Sequence, residues 1–125
     1  MAYNVLVVDD SETIRAVLVR TLKITGVEIN EIFQAENGAK ALEVIDQNWI
    51  DIVFADINMP VMNGIEFVQN LVDKGLIEMT PVVIVSTEGC KIRIDEMLGK
   101  GVKAFLRKPV APEALRDVLF DVLEN

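Results

Sequence analysis

Five times along this chain a short apolar, β-prone run gives way to a longer stretch whose apolar residues recur at helical spacing. That alternation constrains the fold more than any other feature. The runs are residues 5–8, 31–35, 52–55, 82–85 and 104–106. Between and after them, Ile14, Val17, Leu18 and Leu22 fall on one face of a first helix, and Leu42 and Ile45 mark a second, with Trp49 just beyond it. Phe67, Val68, Leu71 and Val72 mark a third, Ile94, Met97 and Leu98 a fourth, and Leu115, Val118, Leu119 and Val122 a fifth. Asp10-Ser11 offers an N-cap to the first helix and Asn37-Gly38 turns the chain into the second. Gly26, Gly75 and Gly101 follow the first, third and fourth helices, and Pro112 sits in the first turn of the last. Four of the runs are almost wholly apolar, as strands covered on both faces by helices must be. Crossovers of this kind are right-handed and build a parallel sheet. The expected architecture is a doubly wound α/β domain with five strands and five helices.

Composition narrows the function. At 125 residues the chain is one domain's worth, long enough for a core of its own. Twelve Lys and Arg against twenty Asp and Glu leave a net charge of −8, which repels phosphate backbones and argues against direct nucleic-acid binding. The absence of His excludes His-based triads, His-ligated metals and a phospho-His within the chain. A single cysteine, Cys90, makes neither an internal disulfide nor a thiolate cluster. Uncharged stretches such as residues 79–87 are nine residues long, far short of a membrane span, and no signal peptide is evident. A cytoplasmic location and no membrane insertion are expected.

In an open parallel sheet, working residues gather at the carboxyl ends of the strands. Here the first strand runs into Asp9-Asp10, the third into Asp56, the fourth into Ser86-Thr87 and the fifth into Lys108-Pro109. Taken singly, Asp10 is an ordinary helix cap, Ser86-Thr87 a strand exit and Lys108 a solvated loop residue. Their coincidence at four strand ends points to chemistry. Three neighbouring carboxylates repel one another, and a hard divalent cation such as Mg2+ relieves the conflict. A carboxylate is also a competent nucleophile toward phosphorus, and a hydroxyl and an ammonium can bind phosphoryl oxygens. The edge suits phosphoryl transfer onto an aspartate.

These residues give the chain its resemblance to the response-regulator receiver domains, over its whole length. Residues 56–64 match the pattern D-x-x-M-P-x-M-x-G with Asp56 at the phosphoacceptor position. Asp9-Asp10 is similar to the family's acidic pair, Ser86 to its hydroxyl position, Lys108-Pro109 to its Lys-Pro pair, and Phe105 to its switch aromatic. The resemblance implies a flavodoxin-like sheet of order 2-1-3-4-5 and a single receiver domain over residues 1–125. It also implies a two-component switch in which Asp56 accepts a phosphoryl group from a phospho-His of a histidine kinase or phosphotransfer protein. Asp10, Asp56 and the backbone carbonyl of Asn58 would ligate Mg2+, with Asp9 acting mainly through water. Lys108 would pair with the acyl phosphate, and Ser86 and Phe105 would move inward together. Asn58 and Glu88 occupy positions that influence phosphate lifetime in chemotaxis-type receivers. Output would go to an unidentified protein through the fourth helix, fifth strand and fifth helix, without turnover of any external substrate.

Two residues depart from the family's pattern. Thr87 stands where Ala or Gly is usual and would crowd access to the site. Phe105 lacks the hydroxyl of the commoner Tyr, so any switch there runs on packing. Competing readings are an interaction module with a receiver fold whose phosphorylation is irrelevant, a small aspartyl-phosphate hydrolase, and a flavin carrier. The intact acidic and basic set opposes the first. Asn58 in place of an acid/base carboxylate opposes the second, and the Asp-Asp-Ser-Glu loop opposes the third.

Overall fold

The strands that the apolar runs predict form one parallel sheet in which, counted along the chain, they lie in the order second, first, third, fourth, fifth. A computed structural model of the chain describes residues 2–87 and 91–124. The elements alternate throughout: β1 Tyr3–Val8, α1 Glu12–Lys23, β2 Ile29–Ala35, α2 Gly38–Gln47, β3 Ile52–Ala55, α3 Gly64–Asp73, β4 Val82–Ser86, α4 Lys91–Gly99, β5 Ala104–Arg107 and α5 Pro112–Leu123. β3 and β4 are buried at every position, whereas the edge strand β2 exposes Asn30, Glu31 and Gln34. With polar residues such as Asn30 at its start, the strand extends two residues ahead of the apolar run 31–35.

Side-chain alternation along the strands divides the interior into two cores. Leu6, Val8, Val53, Ala55, Val82 and Ile84 face α2, α3 and α4, meeting Ala41, Phe67, Leu71 and Met97. Val5, Val7, Ile52, Phe54, Val83 and Val85 face α1 and α5, meeting Leu18, Leu22, Leu115 and Leu119. Burying one such leucine is worth about 2 kcal/mol, more than a helix cap contributes at about 1 kcal/mol. Packing therefore holds α1 in place, and its cap sets where it starts: Ser11 Oγ accepts from the Ile14 amide at 3.2 Å. Asn37 caps α2 in the same way, and Pro112 opens α5. Gly26, Gly75 and Gly101 all adopt positive φ just beyond α1, α3 and α4.

Ile14 and Val17 share a helix face with Leu18 and Leu22 but not their burial; Val17 is half exposed. A face repeating every three to four residues is wider than the strip the sheet can cover. The surplus lines a groove of about 320 Å³ together with Val85, Thr87, Pro109 and Val110. Trp49 and Leu98 are likewise exposed.

Candidate functional site: an acidic cleft at the strand ends

β1 and β3 are neighbours in the middle of the sheet, and the chain leaves them in opposite directions, to β2 on one side and toward β4 on the other. A crevice opens at that divide, outside the strand ends. The register pairs Val8 with Ala55, so the residues that follow, Asp9 and Asp56, emerge side by side. The Asp56 amide donates to the Val8 carbonyl at 2.9 Å and the Asp9 amide to the Ala35 carbonyl at 3.1 Å, which carries sheet pairing up to the acids themselves. On the other side of Asp56, Ser86 pairs with Arg107, and the Lys108 amide donates to the Ser86 carbonyl at 3.1 Å. The peptide from Lys108 to Pro109 is cis.

The structure brings Asp9, Asp10 and Asp56 together, with one carboxylate oxygen of each within 4.8 Å of the others. Their surroundings differ. Asp9 is 4% exposed and Asp56 9%, while Asp10 opens to solvent. Asp9 Oδ1 accepts from the Ser11 amide at 2.9 Å and Oδ2 from Lys108 Nζ at 2.6 Å. Asp56 Oδ1 accepts from the Ile57 amide at 2.8 Å, and Lys108 Nζ lies 3.3 Å from Oδ2. Burial, the largest influence on the Lys108 ammonium, lowers its pKa. The hydrogen bond to Asp9 and the charges of Asp56 and Asp9 outweigh burial and hold it above the ordinary lysine value.

All the donors offered are hard oxygens, the set Mg2+ prefers. Lys108 Nζ holds Asp9 at 2.6 Å but stands 3.3 Å from Asp56, which leaves Asp10 and Asp56 the better placed for direct ligation. Asn58 is exposed beyond Asp56. The donor set fits a Mg2+ ion.

Ser86 is fully buried at the end of β4. By strand alternation it faces the same core as Val82 and Ile84, the core against which half-buried Phe105 packs, and Phe105 pairs in register with Ile84. Thr87, just beyond, is exposed and shares the groove beside α1 with Lys108. Glu88 lies outside the described residues.

Two features of the site escaped the sequence reading. Gly64 lies so close to the acceptor strand that a Cβ there would stand 2.3 Å from the Asp56 carbonyl oxygen. The glycine was visible within the acceptor motif, but the reason for it was not. Arg15 Nη1 donates to the Asp9 carbonyl at 2.6 Å. Its signal was a basic residue one turn into the helix that follows the acidic pair.

Comparison with known proteins agrees with this geometry. The family model described as the response regulator receiver domain matches residues 5–120. A chemotaxis protein CheY homolog of Campylobacter jejuni is 36% identical over 121 residues, covering 96% of this chain and 92% of its own. The crystallised chemotaxis protein CheY4 of Vibrio cholerae superposes with a TM-score of 0.85 at 34% identity, over 98% of this chain and all of that one. CheY of Borrelia burgdorferi, solved in a CheX-CheY-BeF3-Mg2+ complex, gives a TM-score of 0.85 at 30% identity, over 96% and 88% of the two chains. Proteins of this kind are signalling switches. From the first strand into the last helix, with the acidic cleft between them, this chain belongs to the response regulator receiver domain family.

Proposed function

We propose that the chain is a phosphorylation-controlled switch of a two-component system with Asp56 as its acceptor. The observation that carries the reading is Lys108 Nζ, which lies 2.6 Å from Asp9 and 3.3 Å from Asp56 inside the three-carboxylate cleft. The donor is a phospho-His on a histidine kinase or phosphotransfer protein. An Asp56 oxygen attacks phosphorus, a P–O bond forms as the P–N bond breaks, and the imidazole leaves with a proton from water. The Ile57 amide fixes the plane of the attacking carboxylate. Lys108 gives up part of its hold on Asp9 and Asp56 to pair with the new phosphoryl oxygens. Ser86 supplies a hydroxyl to the same group, and Phe105 follows it inward. Asp10, Asp56 and the Asn58 carbonyl would hold Mg2+, and Asp9 would act on it mainly through water. When bound, Mg2+ offsets the negative charge that gathers as the phosphoryl group approaches.

The groove beside α1 favours an approach by the donor over that face. It shares Thr87 and Lys108 with the cleft, and its floor of Ile14, Val17 and Pro109 suits an apolar surface of the donor protein. Output runs through α4, β5 and α5 to a protein partner, and no external substrate is turned over. Thr87, Asn58 and Glu88 tune access and phosphate lifetime. No helix among the described residues is long and apolar enough to cross a membrane, and the acidic charge disfavours nucleic acid, so action in the cytoplasm is the consistent reading.

The test is incubation with acetyl phosphate and Mg2+, read by intact mass and phosphate-affinity electrophoresis. The parent protein should be labelled, and Asp56→Asn should not. Asp10→Asn should lose the Mg2+-dependent labelling and, in chelator, melt higher than the parent as like-charge repulsion is relieved. Undiminished labelling of Asp56→Asn would overturn the assignment.

A further inference from the structure

Arg15 reaches back from the first turn of α1 across the carboxyl ends of β1 and β2. Nη1 donates to the Asp9 carbonyl at 2.6 Å, and Nε donates to Oε1 of Gln34 at 3.0 Å. Gln34 lies on β2 opposite Val7 of β1, so the guanidinium spans from the edge strand to the acidic loop. The rest of Asp9 is already engaged. Its amide donates to Ala35, Oδ1 accepts from Ser11 and Oδ2 from Lys108. Arg15 takes its remaining polar group, the backbone carbonyl.

That carbonyl belongs to the peptide joining Asp9 to Asp10. A peptide is planar, so gripping its oxygen fixes the direction in which the chain enters Asp10. Asp10 is open to solvent, where packing restrains a side chain least. Its aim into the cleft therefore depends on the backbone that carries it. We propose that Arg15, braced by Gln34, is a positioning residue for the divalent cation, presenting Asp10 to the cleft through the Asp9–Asp10 peptide. This role rests on the Mg2+-dependent reading above. Arginine suits it because its planar head offers two donors at a fixed angle, one for each anchor. Lysine, a single point of charge on a flexible stem, cannot hold the same pair. Groups behind the direct ligands of a metal commonly set its affinity by about tenfold or more.

The test is a Mg2+ titration of the folded protein followed by backbone amide shifts, with thermal melts in chelator run alongside. The parent should show saturable binding. Arg15→Ala should weaken it about tenfold, and Arg15→Lys should remain weak. Gln34→Leu, an exposed change that removes only the brace, should give a smaller loss in the same direction and keeps the test open if Arg15→Ala does not fold. The double variant should bind no more weakly than Arg15→Ala alone, since the brace acts through the guanidinium. A mere tie between α1 and β2 would lower the melting point and leave Mg2+ affinity unmoved. Affinity within twofold of the parent in the folded Arg15 variants, or in Gln34→Leu if they do not fold, would overturn the role while leaving the phosphoacceptor reading intact. No saturable Mg2+ binding by the parent would overturn both.

Discussion

Val61 and Gly64 stand in the loop after Asp56 and place opposite demands on it. Val61 is held at φ 66° in a tight turn, closed by the Met62 amide on the Pro60 carbonyl at 2.7 Å, and its side chain is 83% exposed. A β-branched residue is costly in that region, and no burial offsets the cost. Val61→Gly should raise unfolding stability by about 1 kcal/mol in urea titrations. Gly64 has the reverse constraint, because an added Cβ would meet the Asp56 carbonyl oxygen and, at 2.8 Å, the Ile57 Cα. Backbone on both sides cannot yield as a flexible side chain would. Gly64→Ala should cost about 3 kcal/mol in the same titration and depress Asp56 phosphorylation by shifting the acceptor. Lys108 sets a third expectation, concerning pH. Its pKa is raised in the folded protein, so the stabilisation it brings is fully present below the ordinary lysine value and is lost as pH rises through the folded one. The stability difference between the parent and Lys108→Met should stay level from about pH 7 to 9 and shrink only above about pH 10.5. Denaturation series across that range check the sign.

At the level of single elements, α3 begins with a reciprocal cap. Asn63 Oδ1 accepts from the Glu66 amide at 2.9 Å, and Glu66 Oε1 accepts from the Asn63 amide at 3.0 Å. Each side chain makes one of the two bonds; Asn63→Ala should cost about 1 kcal/mol in chemical denaturation, and Glu66→Ala less, since the better helix propensity of Ala inside α3 offsets part of the loss. The signal for this cap, an Asn followed three residues later by Glu, is plain in the sequence, but its Asn belongs to the acceptor motif of residues 56–64, which masks the pairing with Glu66 just beyond. The strands were easier to find. The apolar runs of β1, β3 and β4 are continuous because both sheet faces are covered, and such runs have few other uses in a chain of this size. β2 blurred at its start because an edge strand tolerates polar residues such as Asn30. Spacing revealed that Ile14 and Val17 share a face with Leu18, but it cannot say how far the sheet extends beneath that face. The acidic cleft was legible because strand ends are places that topology fixes. The reach of Arg15 back to Asp9 was not, because a long side chain's destination depends on packing that no local pattern records.

Across the whole molecule the sheet separates two interiors. Ser86 and Phe105 lie on the side of α2, α3 and α4, whereas Val85 and Leu106 lie on the side of α1 and α5. The proposed switch begins at Ser86 and is filled by Phe105, whose ring leaves no hydroxyl to satisfy when buried. With a phosphate mimic bound, NMR spectra should show Phe105 more buried and the largest shifts in α4, with α1 nearly still. Thr87→Ala should speed phosphoryl transfer or hydrolysis, measured by loss of label over time, because the exposed branched side chain beside Lys108 is removed. Unchanged spectra at Phe105 and α4 would leave a phosphoacceptor without a switch. The two-sided interior has a bearing on how such a protein can diversify. Recognition of an incoming donor over the groove beside α1 and the part of the output carried by α4 draw on separate sets of buried side chains, divided by a wall of backbone hydrogen bonds, while α5 shares its core with α1. Substitutions beneath α4 that retune the reply are thereby insulated from the donor's face, and a lineage can change what it says there without changing whom it hears.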